Sequence, residues 1–199
     1  MLHPQDGEHT WDDYLSWNDE KRWELIDGRA YAMSSPGVLH QRLVKSFGLQ
    51  IESRLRGQTC EVFLSPMDVK LSDKNVVQPD LLVICRPEQI AQTHIEGAPT
   101  IVVEILSPST AHHDRMRKIN LYARFGVKEY WIVTPDPPML ELYVLDGATY
   151  RLSGVYNHAG EFTSPTIPCL KLDLAELFEP APKPAEEARE RPTVYYTTN

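Results

Sequence analysis

Two apolar segments joined by a helical segment constrain the fold more than any other feature of this sequence. The segment IVVEIL, residues 101–106, has branched aliphatic residues on both sides of one acid, Glu104, which indicates a strand buried on both faces. Residues 114–125 have the pattern of a helix that ends at Gly126, and EYWIVT, residues 129–134, is rich in strand-forming residues. Strand, helix and strand in this order predict a right-handed crossover between parallel strands.

Shorter elements are predicted around this central unit. Residues 36–56 have apolar side chains at every fourth position and predict the longest helix. WELIDGRAYAM predicts a hairpin that turns at Asp27-Gly28, and CEVFL, MDVKL and PDLLVIC predict further strands. LELYVL and ATYRL predict an antiparallel hairpin at the edge of the sheet. The fold class expected is therefore α/β.

The composition indicates one globular domain. With 199 residues, 42% of them hydrophobic and 24% charged, the chain can bury a substantial core. We expect this domain to span residues 1–178 and residues 179–199, rich in Pro, Glu and Ala, to be disordered. No segment approaches the roughly 20 apolar residues of a membrane span, and MLHPQDGEHT lacks the apolar stretch of a signal peptide. A cytoplasmic protein without a membrane partner is therefore expected.

The three cysteines give no sign of a disulfide framework. Cys60, Cys85 and Cys169 are odd in number, widely spaced and without a CxxC pair, so neither disulfides nor a cysteine zinc site are expected. Cys85 lies in an apolar run and is interpreted as a small buried hydrophobic residue.

Glu104 is the residue that points to chemistry. An unpaired carboxylate in a buried strand would cost several kcal/mol. Asp80 opens the neighbouring apolar run LLVIC, and Lys118 lies in the first turns of the helix that follows the Glu104 strand. Two carboxylates from adjacent strands suit Mg²⁺ or Mn²⁺, which can activate water and polarise a phosphoryl oxygen. A nearby lysine could neutralise developing negative charge, so the pattern suggests phosphodiester hydrolysis.

Each of these residues also has a structural interpretation. Asp80 could simply begin its strand, and Glu104 could form a salt bridge with Lys118 or Arg115. Lys118 could be a solvated helix residue. Glu24 interrupts the apolar strand WELI, but an edge strand tolerates a polar face.

The residues in this order resemble the PD-(D/E)xK superfamily of restriction-endonuclease-like nucleases. More narrowly, WELIDG, His40, QPD, VVEILSPST, Asp114 with Lys118, and GVKEYWIV resemble the Uma-two family of putative restriction endonucleases, from about Trp23 to Val144. The resemblance implies a restriction-endonuclease-like mixed β-sheet core flanked by helices, with the antiparallel edge hairpin in addition. It also implies Mg²⁺ dependence and a DNA substrate.

Carried over residue by residue, the resemblance makes Asp80 and Glu104 metal ligands, assisted by the backbone carbonyl of Ile105. Leu106 stands where the superfamily has its motif lysine. Lys118 would be the relocated catalytic lysine, as the Uma-two pattern implies.

Five further residues are candidates for the same site. Glu24 resembles the additional N-terminal acid of some nucleases, and His40 could face the site from the long helix, although it could equally lie at the core margin. Gln78, Arg115 and Arg117 are candidate substrate contacts, with a loop-positioning role for Gln78 and solvated positions for the arginines as the alternatives.

The net charge of the chain limits how it can bind nucleic acid. A formal net charge of -8 argues against a protein that coats nucleic acid nonspecifically. We expect a Mg²⁺-dependent DNA endonuclease, and a homodimer because symmetric double-strand cutting needs two sites. The alternatives are a non-catalytic nucleic-acid-binding or regulatory module, and a metal-dependent hydrolase acting on RNA or a small phosphorylated molecule.

Overall fold

The computed structural model describes residues 7–18, 21–107 and 111–178, without the side chains of residues 111–116. The helices are α1 (Trp11–Ser16), α2 (Val38–Leu55), α3 (Ala111–Phe125) and α4 (Leu174–Leu177). The strands are β1 (Trp23–Ile26), β2 (Arg29–Ala32), β3 (Glu61–Leu64), β4 (Val69–Ser72), β5 (Asn75–Val77), β6 (Leu81–Ile84), β7 (Ile95–Glu96), β8 (Ile101–Ile105), β9 (Glu129–Thr134), β10 (Met139–Asp146), β11 (Thr149–Tyr156), β12 (Glu161–Thr163) and β13 (Lys171–Asp173). The expected disordered tail, residues 179–199, lies outside the described residues.

A mixed six-stranded sheet forms the centre of the fold. Its strand order is β11-β10-β9-β8-β6-β3, so the segment IVVEIL lies inside the sheet as expected. Strands β8 and β9 are parallel and α3 connects them, which confirms the predicted crossover, although α3 begins at Ala111, three residues earlier than expected. The hairpin β10–β11 lies at one edge, also as expected. The predicted α/β class with a mixed sheet is confirmed.

Both faces of this sheet are covered, and this explains the continuous apolar runs. Helix α2 packs on one face, where Phe47 and Ile51 meet Val103 and Trp131 in a common core. The other face is covered by α3 and by a five-stranded sheet in the order β2-β1-β5-β4-β7. Residues that alternate along β8 and β9 therefore enter two different apolar cores.

Local sequence signals were sufficient for several of these elements. The β1–β2 hairpin turns at Asp27 and Gly28, which both have positive φ, as a tight hairpin turn requires. Thr10 caps α1 in a capping box with Asp13. Strands β5 and β7 of the second sheet and the β12–β13 pair were not predicted, because strands of two or three residues carry too little periodicity.

The expectation of no disulfide was wrong. Strands β3 and β6 are antiparallel, with Glu61 opposite Ile84, so the next residues outward, Cys60 and Cys85, face each other and form a disulfide. Cys169 is free and exposed. Strand register, which the spacing of cysteines does not reveal, brings the pair together. Within the described ranges, no helix is long and apolar enough to cross a membrane.

Candidate active site

Six of the nine predicted site residues line a single cavity of about 350 Å³. The cavity opens where the C-terminal end of β8 meets the start of β6, the β1–β2 hairpin and the first turn of α2. The predicted residues that line it are Glu24, His40, Asp80, Glu104, Ile105 and Lys118.

Asp80 and Glu104 are neighbours on adjacent strands. Strands β6 and β8 are antiparallel with Leu81 opposite Val103, and extending this register by one residue places Asp80 beside Glu104. A cross-strand pair of this kind points to the same face of a sheet. The Oδ2 atom of Asp80 accepts a hydrogen bond from the backbone N–H of Ile105 at 2.8 Å and lies 3.0 Å from Nε2 of His40. Asp80 is thus held in a defined orientation at the cavity.

Lys118 bridges two buried acids. Its Nζ atom lies 2.8 Å from Oε1 of Glu24 and 2.9 Å from Oε1 of Glu104, and all three side chains are at most 12% exposed. The ammonium group therefore offsets much of the cost of burying the two carboxylates. This geometry shows the salt bridge that was considered as a structural interpretation of Glu104, with Glu24 as an additional partner.

Tyr122 is a member of the site that sequence reasoning missed. Its hydroxyl donates a hydrogen bond of 2.8 Å to the same Oε1 atom of Glu104 that Lys118 contacts. The Tyr122 side chain is fully buried. Its position four residues after Lys118, on the same face of α3, is the signal that could have placed it here.

The carboxylates and the lysine perturb one another. Burial raises the pKa of Glu104 to about 7; Lys118 opposes this shift, while the carboxylates of Asp80 and Glu24 reinforce it. Burial acts to lower the pKa of Lys118, but the two acids raise it well above its ordinary value, so the ammonium stays charged at neutral pH. Burial also acts to lower the pKa of His40, and the Asp80 contact outweighs it and raises this pKa.

The cavity offers a donor set that fits a hard divalent cation. No described residue donates a hydrogen bond to Oδ1 of Asp80 or Oε2 of Glu104. Nδ1 of His40 is buried, and no residue in the described part of the chain forms a hydrogen bond with it. Across the described ranges, no group of three or more His, Cys, Asp or Glu side chains could hold a metal ion. The donors would therefore be two carboxylates with the Ile105 carbonyl, a set that Mg²⁺ completes with water or substrate oxygens.

Gln78 has a position different from the one expected of a substrate contact. It is buried and does not line the cavity. Its backbone N–H donates to Oε1 of Glu24 at 3.0 Å, and its side-chain oxygen accepts from Nε of Arg22 at 2.8 Å. Gln78 therefore holds two residues that do line the cavity.

The arginine candidates are only partly described. The guanidinium of Arg117 stacks on the ring of Tyr31, with 4.1 Å from Cζ to the ring centroid, and Tyr31 lines the cavity. The side chain of Arg115 lies outside the description. Arg22, which the sequence did not single out, is a lining residue and donates through Nη2 to Oγ of Ser65 at 2.8 Å.

Comparisons with known proteins agree with this architecture. The model of the family Uma2, described as "Putative restriction endonuclease", matches residues 11–175. The uncharacterized protein slr1290 of Synechocystis sp. is 31% identical over 136 residues, which cover 66% of this chain and 72% of the relative. A crystal structure of a putative nuclease belonging to DUF820, from Anabaena variabilis, superposes with a TM-score of 0.71 at 21% identity and covers 85% of this chain and 97% of the other. At that identity the superposition shows a shared fold.

Proposed function

We propose that this chain, which belongs to the Uma2 family of putative restriction endonucleases, is a Mg²⁺- or Mn²⁺-dependent endonuclease that hydrolyses phosphodiester bonds in DNA. The observation that carries the proposal is the pairing of Asp80 with Glu104 at one cavity, each with a carboxylate oxygen that no described residue uses. Asp80 and Glu104 lie on neighbouring strands, and a divalent cation between them would offset the repulsion of the two carboxylates.

Each side chain has a defined task in this scheme. A bound divalent cation would supply a water of lowered pKa and polarise a phosphoryl oxygen. The backbone N–H of Ile105 and the His40 ring orient Asp80, and Tyr122 with Lys118 orients Glu104.

Lys118 retains one donor for the reaction. An ammonium group has three N–H donors, and the carboxylates of Glu24 and Glu104 accept two of them. The third can hydrogen-bond the attacking water or the negative charge that develops on the phosphate.

The charge of the cavity makes substrate binding depend on the metal. Three acids, Glu24, Asp80 and Glu104, line the cavity together with the cations Arg22 and Lys118 and with His40, whose pKa is raised. A divalent cation would add two positive charges to this cavity and so favour the binding of a polyanionic strand. We therefore expect DNA affinity to rise when Ca²⁺, a cation that takes the same oxygen ligands, is added. Two such sites in a homodimer would cut both strands of a duplex.

The test compares cleavage with metal binding. Plasmid DNA, single-stranded DNA and RNA are incubated with Mg²⁺ or Mn²⁺, and Mn²⁺ binding is measured by calorimetry. Asp80→Ala and Glu104→Ala should lose both cleavage and Mn²⁺ binding, whereas Glu61→Ala, an exposed acid on β3, should retain both. Cleavage by Asp80→Ala at the wild-type rate would refute the proposed site, and cleavage confined to RNA would replace DNA as the substrate.

A second candidate function has its own support. The bridge from Lys118 to Glu24 and Glu104, with Leu106 at the position of the superfamily lysine, is also what a non-catalytic DNA-binding or regulatory module would retain. Such a module would bind DNA and leave it intact with every metal and substrate tested.

A further inference from the structure

We infer that Arg22 binds a phosphate of the substrate strand through a bidentate contact, an inference that rests on the proposed function. Arg22 is half-buried and lines the same cavity as Asp80 and Glu104. None of the sequence patterns that point to the carboxylates includes it.

Arg22 lines this cavity and has no acidic partner among the described residues. Among the described lining residues the cations are Arg22 and Lys118, and two carboxylates hold Lys118. The hydrogen-bond acceptors that Arg22 has are the side-chain oxygens of Gln78 and Ser65, which are both neutral. A guanidinium is always charged, and one that only neutral acceptors hold among the described residues is suited to an anionic ligand.

The two neutral partners of Arg22 leave three of its five N–H donors available to a ligand. A guanidinium has five N–H donors, and Arg22 uses the one on Nε and one on Nη2. One N–H on Nη2 and both on Nη1 have no acceptor among the described residues. The free N–H groups on Nη1 and Nη2 are donors that can reach two oxygens of one phosphate.

The hydrogen bonds of the Gln78 side chain hold the Arg22 guanidinium in position. The Gln78 amide nitrogen donates to Oδ1 of Asp68 at 2.7 Å and to the hydroxyl of Tyr14 at 3.1 Å, so the amide oxygen is turned toward Arg22. The backbone N–H of the same Gln78 holds Glu24. Gln78 thus fixes the position of Arg22 relative to Glu24. This lowers the entropic cost of binding a phosphate beside these residues.

The alternative is that Arg22 is structural and only ties β1 to the segment after β3. The two roles differ in their salt dependence. A protein that loses a phosphate contact shows a shallower dependence of log affinity on log salt, by about 0.7 to 0.9 per contact, whereas loss of a structural tie leaves this slope unchanged.

The experiment measures binding of a fluorescent DNA oligonucleotide in Ca²⁺ at several salt concentrations. Arg22→Gln should weaken binding about 10- to 100-fold and reduce the salt slope by about one contact. Arg22→Lys keeps the positive charge but loses the planar set of guanidinium N–H donors. This variant should keep the wild-type salt slope and bind DNA more weakly than wild type. The matched control is Arg54→Gln, which removes an exposed arginine whose Nε donates to a backbone carbonyl away from the cavity, and it should bind like wild type.

The possible outcomes separate this inference from the proposed function. If wild type cleaves DNA but Arg22→Gln keeps the wild-type salt slope, the inference is overturned and the nuclease proposal stands. If Arg22→Gln does not fold, Arg22→Lys decides, because wild-type affinity in that variant excludes a bidentate contact. If wild type neither binds nor cleaves DNA, the inference and the proposed function both fail.

Discussion

The buried bridge from Lys118 to Glu24 and Glu104 gives a quantitative prediction about stability. Lys118→Met keeps much of the apolar stem but removes the ammonium that lies 2.8 and 2.9 Å from the two carboxylate oxygens. Removing one member of a buried ionic cluster costs about 3–5 kcal/mol, because the remaining charges lose their compensation. For a chain of this length, that loss corresponds to a decrease in Tm of roughly 6–20 °C. Urea denaturation at fixed pH measures the change.

The same variant should be sensitive to pH in a defined direction. Burial raises the pKa of Glu104 to about 7, from an ordinary value of 4.5, even though Lys118 opposes the shift. Between these values the folded protein binds a proton that the unfolded chain has released, so stability falls as pH rises. Without Lys118 the folded-state pKa rises further and this window extends to higher pH. The cost of Lys118→Met should therefore be smallest near pH 5 and largest near pH 8.

The matched control uses another lysine with an ion pair of the same length. Lys74 lies 2.8 Å from Glu8, but both side chains are more than half exposed, so Lys74→Met should leave the urea midpoint unchanged. Equal losses in the two variants, or a loss in Lys118→Met that does not vary between pH 5 and 8, would refute the electrostatic account of this bridge.

Three further changes test other parts of the structure. Replacing both Cys60 and Cys85 with serine should lower the free energy of unfolding by about 3–4 kcal/mol, because the disulfide closes a loop with a sequence separation of 25. Urea denaturation measures this loss, and Cys169→Ser, at a free exposed cysteine, is the control that should not change stability. Glu129→Gln should cost about 1–3 kcal/mol in thermal unfolding, since the fully buried carboxylate accepts hydrogen bonds from two side chains and one backbone N–H. Tyr122→Phe should weaken Mn²⁺ binding in calorimetry while leaving the fold intact by circular dichroism, because it removes one hydroxyl that orients a proposed metal ligand.

Local patterns in the sequence determined the main elements and brought most of the site together. Apolar periodicity and turn residues specify the crossover unit, the long helix α2 and the β1–β2 hairpin, because these depend on interactions between residues close in the chain. The crossover packs α3 beside β8, and Lys118, near the middle of α3, lies 2.9 Å from Glu104, near the end of β8. Asp80 is a candidate from the sequence because it opens the apolar run LLVIC, and the strand register places it beside Glu104.

Only the tertiary structure decided which partner each polar group has. Lys118 contacts Glu24, 94 residues away in the chain, through the packing of the second sheet on α3, and no local pattern encodes this contact. The disulfide depends on the register of β3 and β6, and Arg22 enters the cavity because Gln78 and Ser65 hold it there. Periodicity within one element predicts which of its faces packs against the rest of the protein. Pairing between elements depends on how they pack, and for this chain that pairing sets the chemistry of the cavity.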